Sequence, residues 1–164
     1  MFFEPEIAAF LGGGRSFIVA TVGDAKEPHA TRGWGLELVD GSRIDGGRAR
    51  RVRLLLDADD VCALEHVRSG RRIAITAADV RTLRSVQLKG RAVGLEDAGP
   101  DDEARAARYC DDFFGDITAT DGIQRGILDR LVPSRYAACA VDVEELYDQT
   151  PGPGAGAPLG TSAP

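Results

Sequence analysis

Residues 16–22 (SFIVATV) are an apolar stretch dense in β-branched and aromatic side chains between polar flanks, and this pattern predicts a strand. Gly23, Asp24, Lys26 and Pro28 supply turn chemistry after it. Residues 29–38 are therefore expected to return as the hairpin partner, with Trp34, Leu36 and Leu38 on one face and Asp40, Gly41 and Ser42 closing the strand. Residues 52–56 form a compact apolar run, consistent with a strand buried on both faces, whereas 43–51 are too rich in Gly and Arg for core and read as a loop or short edge strand. Further strands are predicted at 73–76, within the long run 81–96, and at 136–143.

Helical spacing falls between these segments. Ile7, Ala8, Phe10 and Leu11 share a face in a short N-terminal helix that Gly12, Gly13 and Gly14 stop. Asp57, Asp59 and Asp60 mark the start of a second helix, with Val61, Leu64 and Val67 as its buried face and Gly70 as its cap. Pro100 and the acids Asp101, Asp102 and Glu103 open a third, whose apolar side holds Ala106, Ala107, Cys110, Phe113 and Phe114 and which Gly115 is expected to end. A fourth, over 122–131, is predicted to bury Ile123, Ile127, Leu128 and Leu131 before Pro133. Strand–helix alternation does not persist, so the expected class is mainly β with peripheral helices: a six-stranded antiparallel split β-barrel over residues 1–148, followed by a Pro/Gly-rich tail, 149–164, flexible or draped over the surface.

Composition narrows the functional classes. With 43% apolar and 28% charged residues, and no stretch near the roughly 20 apolar residues of a membrane span, the chain reads as globular, without membrane partners. Glu4, Pro5 and Glu6 interrupt the apolar start where a signal peptide needs a continuous run, and a cytoplasmic location is expected. The net charge of −6 is uneven: residues 61–99 are basic and 100–164 strongly acidic. That balance excludes a general nucleic-acid binder but leaves room for a local anion site. Cys62, Cys110 and Cys139 form no CxxC pair and each lies in an apolar local pattern, as buried thiols do.

Catalytic motifs are absent: there is no GxxxxGK[ST], strand–GxGxxG–helix, HExxH or GxSxG. Only His29 and His66 are present, which argues against a multi-histidine metal site, and Asp57, Asp59 and Asp60 fit helix capping better than cation binding. The run 84–93 stands out, because Val86 and Leu88 fall on one face and Gln87, Lys89 and Arg91 on the other, with Arg81 and Arg84 just upstream. Cationic and amide donors so gathered suit an anionic planar ligand. On the hairpin, Thr31, Arg32, Gly33 and Trp34 offer a hydroxyl, a guanidinium, a close backbone approach and an indole.

These segments, ATVGDAKEPHATRGWG (20–35), RTLRSVQLKGRAVGLE (81–96) and VEELYDQTPGPGAG (143–156), make the chain resemble the FMN-binding split-barrel family typified by pyridoxamine 5'-phosphate oxidase. The resemblance, of pattern and order over about residues 5–156, implies a homodimer holding FMN in clefts between subunits. By position it makes Thr31, Arg32, Gly33, Trp34, Arg84, Ser85, Gln87 and Lys89 candidate cofactor contacts. One junction departs from the family, which commonly places a Ser and a basic residue after the third strand to hold the phosphate. Here it reads Asp57, Ala58, Asp59, Asp60, and each carboxylate close to a phosphate would repel it by about 1 kcal/mol unless a nearby arginine offsets it. Two functions are therefore expected to compete: an FMN-dependent oxidoreductase with an unknown small-molecule substrate, and a non-catalytic binding or sensing protein holding a small anion or haem on the same barrel. A metal-dependent enzyme built on the Asp57–Asp60 turn ranks third.

Overall fold

Alternate residues of β1 (Ser16–Val22), Phe17, Val19 and Thr21, are buried, and the same two-residue rhythm recurs in one neighbouring strand, over Arg72–Ala78. In the computed structural model, which describes residues 3–39, 43–44, 47–48, 50–69 and 71–159, the elements follow in order. They are α1 (Pro5–Leu11), β1, β2 (Pro28–Val39), β3 (Arg43–Ile44), β4 (Gly47–Arg48), β5 (Arg50–Asp57), α2 (Val61–Ser69), β6 (Arg72–Ala78), β7 (Ser85–Asp97), α3 (Pro100–Asp121), α4 (Arg125–Leu128) and β8 (Tyr136–Asp148). Six strands pair antiparallel in the closed order β1-β2-β5-β8-β7-β6, with β6 returning to β1, while β3 and β4 form a separate small hairpin. The expected mainly β, six-stranded antiparallel barrel with peripheral helices is the observed architecture.

Phe17, Val19, Leu54, Ile75 and Leu88 are among the residues buried in the core. Strand β5 is covered on both sides over its apolar run, where Val52, Leu54, Leu55 and Leu56 are fully buried, while Arg53 within the run is partly exposed. Helix α3 packs on β2, where the Tyr109 ring stacks on Phe17 and Phe113, and Trp34 meets Phe114 edge-on.

Several sequence expectations need correction. Gly115 does not end α3, which runs on to Asp121 and stops where Gly122 adopts a left-handed φ of 70°. The fourth helix is only one turn, continued by a turn of 3-10 helix over Asp129–Leu131, and buries Leu128 alone; Ile123, Ile127 and Leu131 are exposed. In α2 the buried face is Ala63, Leu64 and Val67, with Val61 and Cys62 exposed, so burial of all three cysteines does not hold. The closures expected at Asp40–Ser42 and at Gly70 lie outside the described residues. The final strand extends well past Val143, and after it the Pro/Gly-rich segment lies back on the barrel through Asp148 N–H to Ala157 O and Leu159 N–H to Leu146 O. Among the described residues no helix is long and apolar enough to cross a membrane.

Candidate functional site

Pairing register decides which candidate residues can meet. Arg32 lies opposite Ile18, Ile18 opposite Thr76, Thr76 opposite Gln87, and Gln87 opposite Tyr147, so one row crosses β2, β1, β6, β7 and β8. The next row along the same face is Ala30, Ala20, Ala74, Lys89 and Glu145. Because side chains alternate, both rows point out of the barrel, as the 46% exposure of Ile18 and the exposure of Ala20, Ala30 and Lys89 confirm. The sheet thus presents an open floor of small apolar side chains. Arg32 stands on one flank of it and Gln87 on the other, three strand spacings away, about 14 Å. A shallow cavity of about 300 Å³ on this face is lined by Ala20, Val22, Pro28, Ala74 and Lys89, among others.

The Arg32 guanidinium lies 5.3 Å from the centre of the Phe113 ring and 5.9 Å from that of Trp34. Its Nη1 is buried without a well-aligned hydrogen bond, and the Tyr109 hydroxyl, likewise without one, lies close enough to the guanidinium to interact with it. Burial pushes the Tyr109 phenol well above its ordinary pKa, an effect the neighbouring Arg32 charge opposes without reversing. Across the floor the Lys89 ammonium sits 4.7 Å from the centre of the Tyr147 ring, and Gln87 Nε2 donates to Thr76 Oγ1. A buried guanidinium donor without a well-aligned acceptor is the feature an anionic ligand would satisfy.

The remaining candidates have contacts within the fold. Thr31 points inward and donates to the Asp60 carboxylate. Gly33 also faces the core: a Cβ there would come within 2.8 Å of the Phe17 Cβ and 2.9 Å of Leu54 Cδ1, so its missing side chain serves interior packing. Trp34 is only 4% exposed. Arg84 precedes β7, pairs with Glu6 at 2.8 Å and lies over the Phe10 ring of α1. The Ser85 hydroxyl donates to Leu83 O, and its N–H donates to Thr150 Oγ1. Of the eight positions, Arg32, Gln87 and Lys89 are the ones the structure brings to one open face.

The acidic junction is locally compensated. Asp57 accepts the Asp59 N–H, Asp59 pairs with Arg135, and Asp60 caps α2 at Ala63 N–H while its carboxylate faces His29 Nε2 at 3.0 Å. Burial works against the Asp60 carboxylate, but hydrogen bonds from His29, Thr31 and Ala63 outweigh it and hold its pKa below the ordinary value. A larger open cleft, about 630 Å³, lies beside the first turn of α3, where Arg53, Glu96, Asp102, Arg105 and Glu37 are already paired with one another. The alanine floor was not legible in the sequence, because Ala20, Ala30 and Ala74 come from three strands and carry no motif.

No family model matches the chain, and no curated protein matches it at a significant level. Solved structures do. HupZ of Group A Streptococcus aligns with a TM-score of 0.52 at 15% identity, over 94% of this chain and 99% of that one. A candidate pyridoxamine 5'-phosphate oxidase from Lactobacillus delbrueckii gives 0.51 at 15% identity, over 88% of this chain and 93% of its own. Likeness at this identity establishes the fold, and the fold agrees with the resemblance carried by residues 20–35, 81–96 and 143–156.

Proposed function

We propose, starting from a chain that has the split-barrel fold, that this protein binds FMN and acts as a flavin-dependent oxidoreductase on a small molecule, as a homodimer whose partner copy closes the open face. The observation that carries this reading is the pairing of Arg32, whose buried Nη1 lacks a well-aligned acceptor, and Lys89 across a floor of small apolar side chains. That face suits a flat anionic heterocycle: Ile18, Ala20, Ala30 and Ala74 offer apolar contact, Arg32 and Lys89 offer charge, and Gln87 offers an amide. When bound, FMN supplies the redox chemistry. Arg32 and Lys89 bind and neutralise its negative charge, and the Ala floor with a second copy excludes water. No side chain is required to act as nucleophile or general base, in keeping with the missing catalytic motifs.

A second reading, a non-catalytic holder of a small anion or haem on the same fold, is favoured by the acidic Asp57–Asp60 turn, where a phosphate would meet carboxylates. An absorbance spectrum after incubation with FMN and desalting separates the two. Retained flavin bands are expected, and Arg32→Ala with Lys89→Ala should lower FMN affinity at least tenfold. Failure of the wild-type protein to retain flavin sinks the first reading, and a Soret band after haem addition supports the second.

A further inference from the structure

A second constellation, built around the two histidines, lies at the β1–β2 turn and the start of α2. The imidazole of His66 is fixed on three sides. Its Nδ1 lies 3.2 Å from the hydroxyl of Thr21, a buried residue; its Nε2 lies 3.7 Å from Cys62 Sγ; and the backbone of Gly23 presses on its ring. A Cβ at Gly23 would come within 2.7 Å of His66 Cδ2, so the turn can approach this closely only with glycine there. On its far side the ring meets the edge of His29, centroids 6.2 Å apart, and His29 is itself tied to Asp60. Cys62 is exposed, whereas Cys110 and Cys139 are buried.

A nucleophile, a base within reach of it, and a third group orienting the base form the arrangement that activates a thiol. With Thr21 accepting from Nδ1–H, the Nε2 lone pair is turned toward the Cys62 S–H. Cys62 also stands in the first turn of α2, beside the N–H groups that open the helix.

We propose that Cys62 is a reactive thiol, with His66 as its proton acceptor and Thr21 as the group that orients His66, and that it undergoes exchange with low-molecular-weight disulfides. His66 takes the proton, and the Cys62 thiolate attacks one sulfur of R–S–S–R. A new S–S bond joins Cys62 to one R–S unit as the S–S bond of R–S–S–R breaks, and the departing R–S⁻ carries the electron pair of the broken bond and picks up a proton. Cys62 sulfur is oxidised and the leaving sulfur reduced. Neither remaining cysteine is available to displace the adduct: burial raises the Cys110 thiol above its ordinary pKa and pushes that of Cys139 up to about 12. The mixed disulfide therefore persists until a thiol from solution removes it.

Dipyridyl disulfide, which releases a chromophoric thione, tests this on the native full chain. One thiol of the three is expected to react fast, and Cys62→Ser to abolish that phase. His66→Gln should slow it at least tenfold at pH 7, with the difference closing above about pH 9, where an ordinary thiol ionises unaided. Thr21→Val, which leaves the imidazole in place, should give an intermediate rate. A variant that failed to fold would be recognised by reaction at all three thiols, and Thr21→Val then decides. A fast phase surviving in Cys62→Ser, or a His66→Gln rate within tenfold of wild type at pH 7, overturns the proposal, as does an unslowed Thr21→Val where His66→Gln does not fold.

Discussion

Asp102 ties three parts of the chain together through one carboxylate. Arg53 on β5 donates to it from Nε at 2.8 Å and from Nη2 at 2.7 Å, Arg105 donates from the next turn of α3, and the Gly99 N–H closes the helix start. The Arg53 hydrogen bonds, chiefly, hold the Asp102 carboxyl far below the usual range against the opposing effect of burial. A depressed folded-state pKa contributes stability that is fully present above the unfolded value, near 4, and is lost as pH falls further. Asp102→Asn should therefore cost roughly 2–3 kcal/mol at pH 7, a partly solvated case of breaking a buried ion pair. Urea denaturation of both proteins at pH 7 and pH 3 should show the gap narrowing at the lower pH; a gap of equal size at both would refute this linkage. None of it was legible beforehand. Asp102 reads in the sequence as one of three acids opposing a helix dipole, because its partner Arg53 is 49 positions away. For the same reason Gly33 reads as a place for a ligand, although the side chains that demand a glycine there, Phe17 and Leu54, are distant in sequence.

At the scale of elements, strands were better read than helices. The β-branched and aromatic density of β1 and the compact apolar run of β5 mark strands directly, although the alternate burial of β1 and β6 is set by their place in the barrel and not by alternation in their sequences. Glycine alone is a poor guide to helix ends, since α3 runs past Gly115 to Asp121. Gly115 has no neighbour within 4 Å of where a Cβ would lie, and it costs the helix only about 1 kcal/mol relative to alanine. The burial of Phe113 and Phe114 just before it anchors α3 to the barrel. Ile123, Ile127 and Leu131 show the opposite error: apolar spacing identifies a face but not whether anything covers it. The C-terminal segment could be recognised as irregular but not as packed, since many of its contacts are made by backbone, among them Gln149 N–H to Ser85 O, Asp148 N–H to Ala157 O and Leu159 N–H to Leu146 O, each 2.8 Å. Truncation after Asp148 should destabilise the protein by about 1–3 kcal/mol, a few hydrogen bonds at roughly 1 kcal/mol each. Hydrogen exchange would then show the Asp148 amide losing protection, and unchanged protection at that amide would mean that the tail does not hold this end of β8.

For the molecule as a whole, the expectation with the widest reach is the homodimer. An exposed apolar floor carrying Ile18 at 46% exposure, flanked by cations, needs a second surface to exclude water from a ligand lying on it. Sedimentation of the native protein should report a dimer. Ile18→Arg, which sets a second guanidinium beside Arg32 in the same row, should yield a monomer that also loses FMN. A dimer unaffected by that change would place the interface elsewhere. The closed strand order constrains any such assembly further. Each of the six barrel strands has a neighbour on either side, so the ring offers no free ladder of amides and carbonyls onto which another chain could add a strand. Association through the barrel wall would therefore run through side chains, whose chemistry a single substitution can rewrite. The outer face of such a barrel can thus change residue by residue while the ring's own pairing stays untouched.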